Sequence, residues 1–251
     1  MSNPKNKDGI QSYFEGAGFD SLRVVYSDEA CDGFRSAIRR GHSQVVETVV
    51  SWLRPVKGMD TQSVLDAGCG TGALAVPLAI AGARVDAIDF SARMIQAAQE
   101  RARRAQVPPA RLKFAVGDLS SVNASYDAVV CIDVFARYST EASIGLLKQL
   151  ASRANSRLIF TFTPKKAMDP LWLAIGGLVA KRRQAPPLYT HSTEAITGGL
   201  RTLGWTIHRQ AQISAGWKSY FCCLVGARPE SSRAGVGIDG FRFAGEGRRE
   251  I

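Results

Sequence analysis

Four aspartates and a run of glycines are the residues in this 251-residue chain whose types and spacing could do chemistry. Val64-Leu65-Asp66-Ala67-Gly68-Cys69-Gly70-Thr71-Gly72 reads as an apolar strand running into G-x-G-x-G and then a helix. Glycines there let the backbone turn sharply and let a ligand lie against it without interference from a Cβ. Asp89 follows Gly68 by 21 residues, at the end of the next expected strand. A carboxylate at that place accepts hydrogen bonds from ribose hydroxyls. Asp118 and Asp133 follow the third and fourth strands. A pyrophosphate dinucleotide would be repelled by four acids along one sheet edge. A cofactor with a sulfonium and an ammonium, S-adenosylmethionine, would be attracted. The loop spacing agrees, because dinucleotide binders use G-x-G-x-x-G. Phe90 and Leu119 would give adenine an apolar wall. The plainer reading makes these acids helix N-caps. It carries weight for Asp66 and Asp133 and fits Asp89 and Asp118 less well. The expected cofactor set is Asp66, Gly68, Gly70, Asp89, Phe90, Met94, Asp118, Leu119 and Ile132.

The elements that must position these residues alternate. Strands are expected at Ser63–Ala67, Arg84–Asp89, Leu112–Val116, Asp127–Ile132 and Arg157–Phe162. Helices are expected from Gly72 to Ile80, from Ala92 to Ala105 behind a Ser91 N-cap, and from Glu141 to Ser152. Strand and helix alternating at this spacing means βαβ units and a parallel sheet covered on both faces. Residues 11–53 carry helical periodicity through Ile38, Val45, Val46, Val49 and Trp52, with Gly16 and Gly18 interrupting an earlier turn. After Thr163-Pro164 the rhythm breaks into an inserted helix and loop. A helix from Ser192 to Leu203 and strands near Trp205–Gln210 and Ser219–Ala227 then complete the pattern. The expected organisation is a helical cap (1–54), a cofactor-binding core (55–163), an insertion over the acceptor (164–191), completion of the core (192–227) and a poorly ordered Gly/Arg-rich tail (228–251).

Composition narrows the class. With 45% hydrophobic and 22% charged residues, the chain is an ordinary globular one, neither disordered nor a disulfide scaffold. Five cysteines without a C-x-x-C pair read as free thiols of a cytoplasmic protein. The N-terminus has no apolar signal segment. The apolar run Leu171 to Ala180 is too short to span a bilayer, which needs about 20 residues. Followed by Lys181-Arg182-Arg183, that run reads equally as a buried helix with a solvated end or as a cap over a flat apolar acceptor touching a membrane surface. The formal charge of +10 admits nucleic acid, an anionic membrane or an acidic substrate. It is spread along the chain without a separate basic domain, which argues against an RNA-binding methyltransferase or binding module. His42, His191 and His208 show no metal-ligand spacing, so no metal is expected. Nothing resembles a dedicated strong base, which suits an acceptor already anionic at neutral pH, such as a carboxylate.

The D-A-G-C-G-T-G segment resembles the first motif of class I S-adenosylmethionine-dependent methyltransferases. That resemblance implies a Rossmann-like, mostly parallel seven-stranded α/β sheet with a final antiparallel strand. Asp89 would hold ribose, Asp118 the adenine amino group, and Gly68 and Gly70 the amino-acid moiety. Ser12-Tyr13-Phe14, Gly16-Ala17-Gly18-Phe19-Asp20, Tyr26 and Ile38-Arg39-Arg40-Gly41-His42 resemble the magnesium-protoporphyrin IX methyltransferases of (bacterio)chlorophyll biosynthesis. So do Val130-Cys131-Ile132-Asp133-Val134, Phe162-Thr163-Pro164-Lys165 and Tyr189-Thr190-His191-Ser192. The resemblance implies methyl transfer to a porphyrin propionate, with a quinone or another hydrophobic small molecule as the alternative acceptor. It further implies a contact with the porphyrin-binding subunit of magnesium chelatase and a peripheral place at photosynthetic membranes. Tyr26 matches a family tyrosine implicated at the acceptor. Arg137, before Tyr138, stands where the family has a histidine. It can pair with a propionate but cannot accept a proton. His42, Tyr138, Lys165, Trp172 and His191 complete the expected acceptor side. Each of the two histidines reads better as a hydrogen-bonded helix-end residue than as an axial ligand of porphyrin magnesium.

Overall fold

The structure is a computed structural model and describes residues 4–25, 33–53, 62–165, 186–215 and 220–229. Three helices come first: α1 (Pro4–Glu15), α2 (Ala17–Val25) and α3 (Gly33–Leu53). The alternating core follows as β1 (Ser63–Ala67), α4 (Ala75–Ile80), β2 (Arg84–Asp89), α5 (Ala92–Arg104), β3 (Leu112–Val116), β4 (Tyr126–Cys131), α6 (Thr140–Ala151) and β5 (Ala154–Phe162). It closes with α7 (Thr193–Thr202), β6 (Trp205–Ala215) and β7 (Tyr220–Pro229). The seven strands form one sheet in the order β3-β2-β1-β4-β5-β7-β6. The first five strands are parallel, and β7 runs antiparallel between β5 and β6. The sheet is thus the expected mostly parallel one.

Period-two alternation in these strands splits the core into two layers. Val64, Val85, Ala128, Val130 and Ile159 face α3 and α4, packing with Val45, Val49, Leu53 and Leu78. Leu65, Val129, Cys131, Leu158 and Phe160 face the opposite layer of Leu147, Leu150, Ile196 and Leu200 from α6 and α7. Strands buried on both faces read as continuous apolar runs, as parallel sheets require. Each fully buried Leu, Ile or Phe contributes about 1.5–3 kcal/mol.

Several boundaries differ from expectation: β5 begins three residues earlier, at Ala154, and β6 runs five residues further, to Ala215. The helix expected from Gly72 begins at Ala75, because Gly72 has a left-handed φ of 74° and the chain is still turning there. Strand β7 runs to Pro229, so the first two residues assigned to the tail pair with Trp205 and Thr206. Residues 230–251 lie outside the described residues, as do Leu171–Ala180, Lys181–Arg183 and the helix expected within the insertion. The insertion's two ends are described, and they meet. Pro164 and His191 form a parallel bridge, His191 N–H donates to Thr163 O at 2.8 Å, and Lys165 N–H donates to His191 O at 2.9 Å.

Candidate active site

The chain winds outward from β1 through β2 to β3, then returns to build β4 and β5 on the other side. The crevice at that reversal, outside the carboxyl ends of the strands, is where open α/β sheets bind ligands. Asp66, Asp89, Asp118 and Asp133 all stand along this crest.

The glycine loop leaves β1 with Gly68 at φ 81° and Gly70 at φ 51°. Gly68 and Cys69 both donate backbone N–H groups to Ile88 O, at 2.8 and 3.0 Å, which ties the loop to the end of β2. A Cβ on Gly68 would meet Val134 Cγ2 at 2.5 Å, whereas one on Gly70 would project into open space. That open side of the loop is the cradle.

Asp89 braces the loop. Its Oδ2 accepts from Gly70 N–H at 3.0 Å and its Oδ1 from Ser91 N–H at 2.9 Å. Burial pushes its pKa up, and the backbone donors from Ser91 and Gly70 pull it back. Asp66 is buried too, and burial with the Asp89 charge raises its pKa to about 7. Its Oδ2 has no hydrogen-bond partner among the described residues, and neither has the buried Thr71 hydroxyl in the same loop. An orphaned buried carboxylate oxygen is costly unless a ligand supplies a donor or a positive charge. The loop, the open face of Gly70 and the acid pair therefore fit an ammonium- and sulfonium-bearing cofactor.

The cap reading sorts out differently from expectation. Asp118 Oδ1 accepts from Ser120 N–H at 2.8 Å and N-caps a 3-10 turn at Leu119–Ser121. Asp133 caps nothing. It has a left-handed φ of 60°, its N–H donates to Thr161 Oγ1 at 2.8 Å, and its carboxylate turns to α3. His42 Nδ1 lies 2.9 Å from Asp133 Oδ2. His42 is therefore mid-helix in α3 and hydrogen-bonded to Asp133, not the helix-end histidine expected. His191 is fully buried before α7, with Nε2 3.0 Å from Phe135 O and Nδ1 3.2 Å from Thr140 Oγ1. With both ring nitrogens engaged and no exposed surface, it locks the base of the insertion rather than presenting a ligand atom. Among the described residues no group of three or more His, Cys, Asp or Glu could hold a metal ion.

Of the remaining expected cofactor residues, Met94 and Ile132 are buried at the crest and Phe90 and Leu119 are half-buried. Phe14 of α1 approaches Phe90 with ring centroids 6.0 Å apart, and Gln11 Nε2 donates to Phe90 O at 3.1 Å. Glu15 Oε1 accepts from Ala92 N–H at 2.7 Å, beside Ser91, whose Oγ accepts from Met94 N–H as N-cap of α5. Arg93 clasps the same junction, donating to Glu15 O at 2.7 Å and lying 4.2 Å from the Phe19 ring centroid. Sequence reasoning missed Gln11 and Glu15, since a carboxylate capping a helix 77 residues away leaves no local pattern.

On the acceptor side, Arg137 ends a 3-10 turn at Phe135–Arg137. It donates to Pro186 O at 3.2 Å and lies 5.5 Å from the Phe14 ring centroid. The turn, α1 and the returning insertion thus converge on one cation. Burial, then the charges of Cys131, Asp118 and Asp89, raise the Tyr138 pKa to about 12. Its phenol stays protonated at neutral pH, a donor and not a base. Lys165 is exposed at the insertion's base. Tyr26 and Trp172 lie outside the described residues. Cys69 and Cys131 are buried free thiols.

A seven-stranded sheet of this order, with a glycine loop and an acidic crest, defines a class I methyltransferase. Residues 64–155 match the methyltransferase domain family, and residues 131–229 match the magnesium-protoporphyrin IX methyltransferase C-terminus family. The chain is 35% identical to the chloroplastic magnesium protoporphyrin IX methyltransferase of Arabidopsis thaliana, over 89% of this chain and 72% of that one. It is 35% identical to the magnesium-protoporphyrin O-methyltransferase of Synechocystis, over 83% of this chain and 91% of that one. A crystal structure of magnesium protoporphyrin IX methyltransferase from Synechocystis PCC 6803 with bound SAH superimposes with a TM-score of 0.80 at 34% identity. The match covers 89% of this chain and 99% of that one. The chain belongs to the magnesium-protoporphyrin IX methyltransferase family.

Proposed function

We propose that this chain transfers the methyl group of S-adenosylmethionine to a propionate carboxylate of Mg-protoporphyrin IX. The observation that carries the cofactor half is the buried Asp66 oxygen without a partner, beside Asp89, under a glycine loop with an open face. The cofactor supplies an electrophilic methyl. The chain's residues bind, orient and exclude water. Asp66 and Asp89 favour the cationic end, Asp89 with Phe90 and Leu119 receives the ribose and adenine, and Asp118 receives the adenine amino group. The acceptor half rests on the family and on the cations at the crest's open side. Arg137 binds a propionate as a charge-assisted partner, Tyr138 donates to it, and Lys165 adds positive potential. No proton need be removed from a carboxylate whose ordinary pKa is about 4. Tyr26, His42 and Trp172 complete the acceptor set, and the magnesium chelatase porphyrin-binding subunit and a membrane surface are its proposed contacts. Among the described residues no helix is long and apolar enough to cross a membrane.

The experiment is incubation with methyl-labelled S-adenosylmethionine and Mg-protoporphyrin IX, metal-free protoporphyrin, a quinone precursor and bulk RNA in parallel. Label is expected in base-labile porphyrin ester. Label in the quinone or RNA arm alone would overturn the proposal.

A further inference from the structure

The end of the sheet away from the crest carries a second concentration of charge that methyl transfer does not use. Arg157 near the start of β5, Arg209 of β6 and Arg228 at the end of β7 line one groove with Trp52, His208, Ile159, Gly226 and Ala227. The groove opens to solvent, and the free space of about 310 Å³ along its lining residues includes part of that solvent. Arg157 and Phe162 are five residues apart along β5, so the groove lies roughly 16 Å from the crest.

The groove is built. Arg157 Nη1 donates to Leu53 O at 3.1 Å and Trp52 O at 3.4 Å, the last carbonyls of α3, which fix its guanidinium. The Trp52 ring is pressed onto β7, where a Cβ on Gly226 would meet it at 3.2 Å. Arg209 stands 6.0 Å from that ring's centroid. Yet among the described residues the three guanidiniums have no carboxylate partner. No described carboxylate lies within ion-pair distance of any of them, and Asp127, the one acid acting on Arg157, is already engaged by Ser63 N–H and Oγ at 2.9 Å. Burial, then repulsion from Arg228 and Arg209, lowers the Arg157 pKa. Gathering like charges without an anion is unfavourable. A single carboxylate would answer one of the three cations. A phosphate, with three oxygens in a compact dianion, answers them together and matches the guanidinium fork.

We infer that Arg157, Arg209 and Arg228 around Trp52 form a phosphate-binding site, separate from the methyl-transfer crest. The phosphate belongs either to a soluble phosphorylated molecule or to a lipid headgroup. The site is independent of the acceptor's identity.

The test is calorimetric titration of the full chain with inorganic pyrophosphate, with acetate at matched ionic strength as control, on wild type and on Arg209→Ala/Arg228→Ala. Both substituted residues are strand-surface groups away from the crest, so circular dichroism and S-adenosylmethionine affinity should not change. Saturable pyrophosphate binding is expected, weakened about ten-fold or more by the double substitution. No saturation by about 10 mM, or equal affinity in the double variant, would overturn the inference. Sedimentation with phosphatidylcholine vesicles containing phosphatidic acid separates the sources. Sedimentation lost in the double variant and competed by pyrophosphate assigns a headgroup. Sedimentation equal in both proteins, with pyrophosphate binding still dependent on the two arginines, assigns a soluble ligand.

Discussion

With the cationic end of S-adenosylmethionine at Asp66, as proposed, cofactor affinity depends on pH. Burial and the neighbouring Asp89 charge place its pKa at about 7, so in the cofactor-free protein it is half protonated at neutral pH. A cationic ligand favours the carboxylate, so binding must drive off the proton. Apparent affinity for S-adenosylmethionine then falls about five-fold from pH 7 to pH 6 and about fifty-fold to pH 5. The ligand's own α-amino group titrates near 7.7–8.0, so below pH 7 the slope belongs to the protein. Calorimetry in buffers of different ionisation enthalpy should find about half a proton released per binding event at pH 7, rising toward one at pH 6. Asp66→Asn removes both the proton release and this slope, leaving only the shallower part due to Asp89. Stability runs the other way. A carboxyl whose folded pKa is raised contributes stability that is complete below its unfolded value of 3.8 and lost as pH rises through about 7. Asp66→Asn should therefore melt higher than wild type at pH 8 while binding cofactor more weakly. A wild-type affinity flat between pH 7 and 5, or an equal slope in Asp66→Asn, would refute this reasoning.

Three further outcomes follow from the geometry. Gly68→Ala places a methyl 2.5 Å from Val134 Cγ2 at a φ of 81°, and should cost about 1–3 kcal/mol in urea denaturation. Adding Val134→Ala relieves the clash but not the backbone strain, so only partial recovery is expected. A double-mutant cycle with His42→Ala and Asp133→Asn should show a coupling of about 1–2 kcal/mol, and additivity within about 0.5 kcal/mol would dismiss the pair as energetically idle. Arg137→Ala should raise the porphyrin KM about ten-fold or more with little change in cofactor affinity, and an unchanged KM would remove it from the acceptor site.

The sheet and the glycine loop were legible because their signals are local. Alternating apolar strands, a G-x-G-x-G turn and the Ser91 cap each lie within one element, and β2 and β3 fall at the expected residues. What was not legible depends on contacts between distant segments. Nothing near His42 announces that Asp133 is 91 residues away in sequence and 2.9 Å away in space. Asp118 and Asp133 look alike as acids following strands. The backbone separates them, because Asp133's left-handed φ turns its carboxylate toward α3 while Asp118, in extended conformation, caps the turn after it. His191, placed on the acceptor side by the resemblance and read better as a hydrogen-bonded helix-end residue, stands fully buried before α7 with both ring nitrogens engaged.

The bridge between Pro164 and His191 has a consequence for the chain that joins its two ends. The backbone leaves and re-enters the sheet at one bridge, where His191 hydrogen-bonds to Thr163 O, Lys165 N–H and Phe135 O. The entropy of bringing the two ends together is thus met by the scaffold, and it grows only slowly with the length between them. A change in the length of chain between these two ends therefore adds little closure cost at the bridge, while strand register and the cofactor loop are fixed by contacts elsewhere in the sheet.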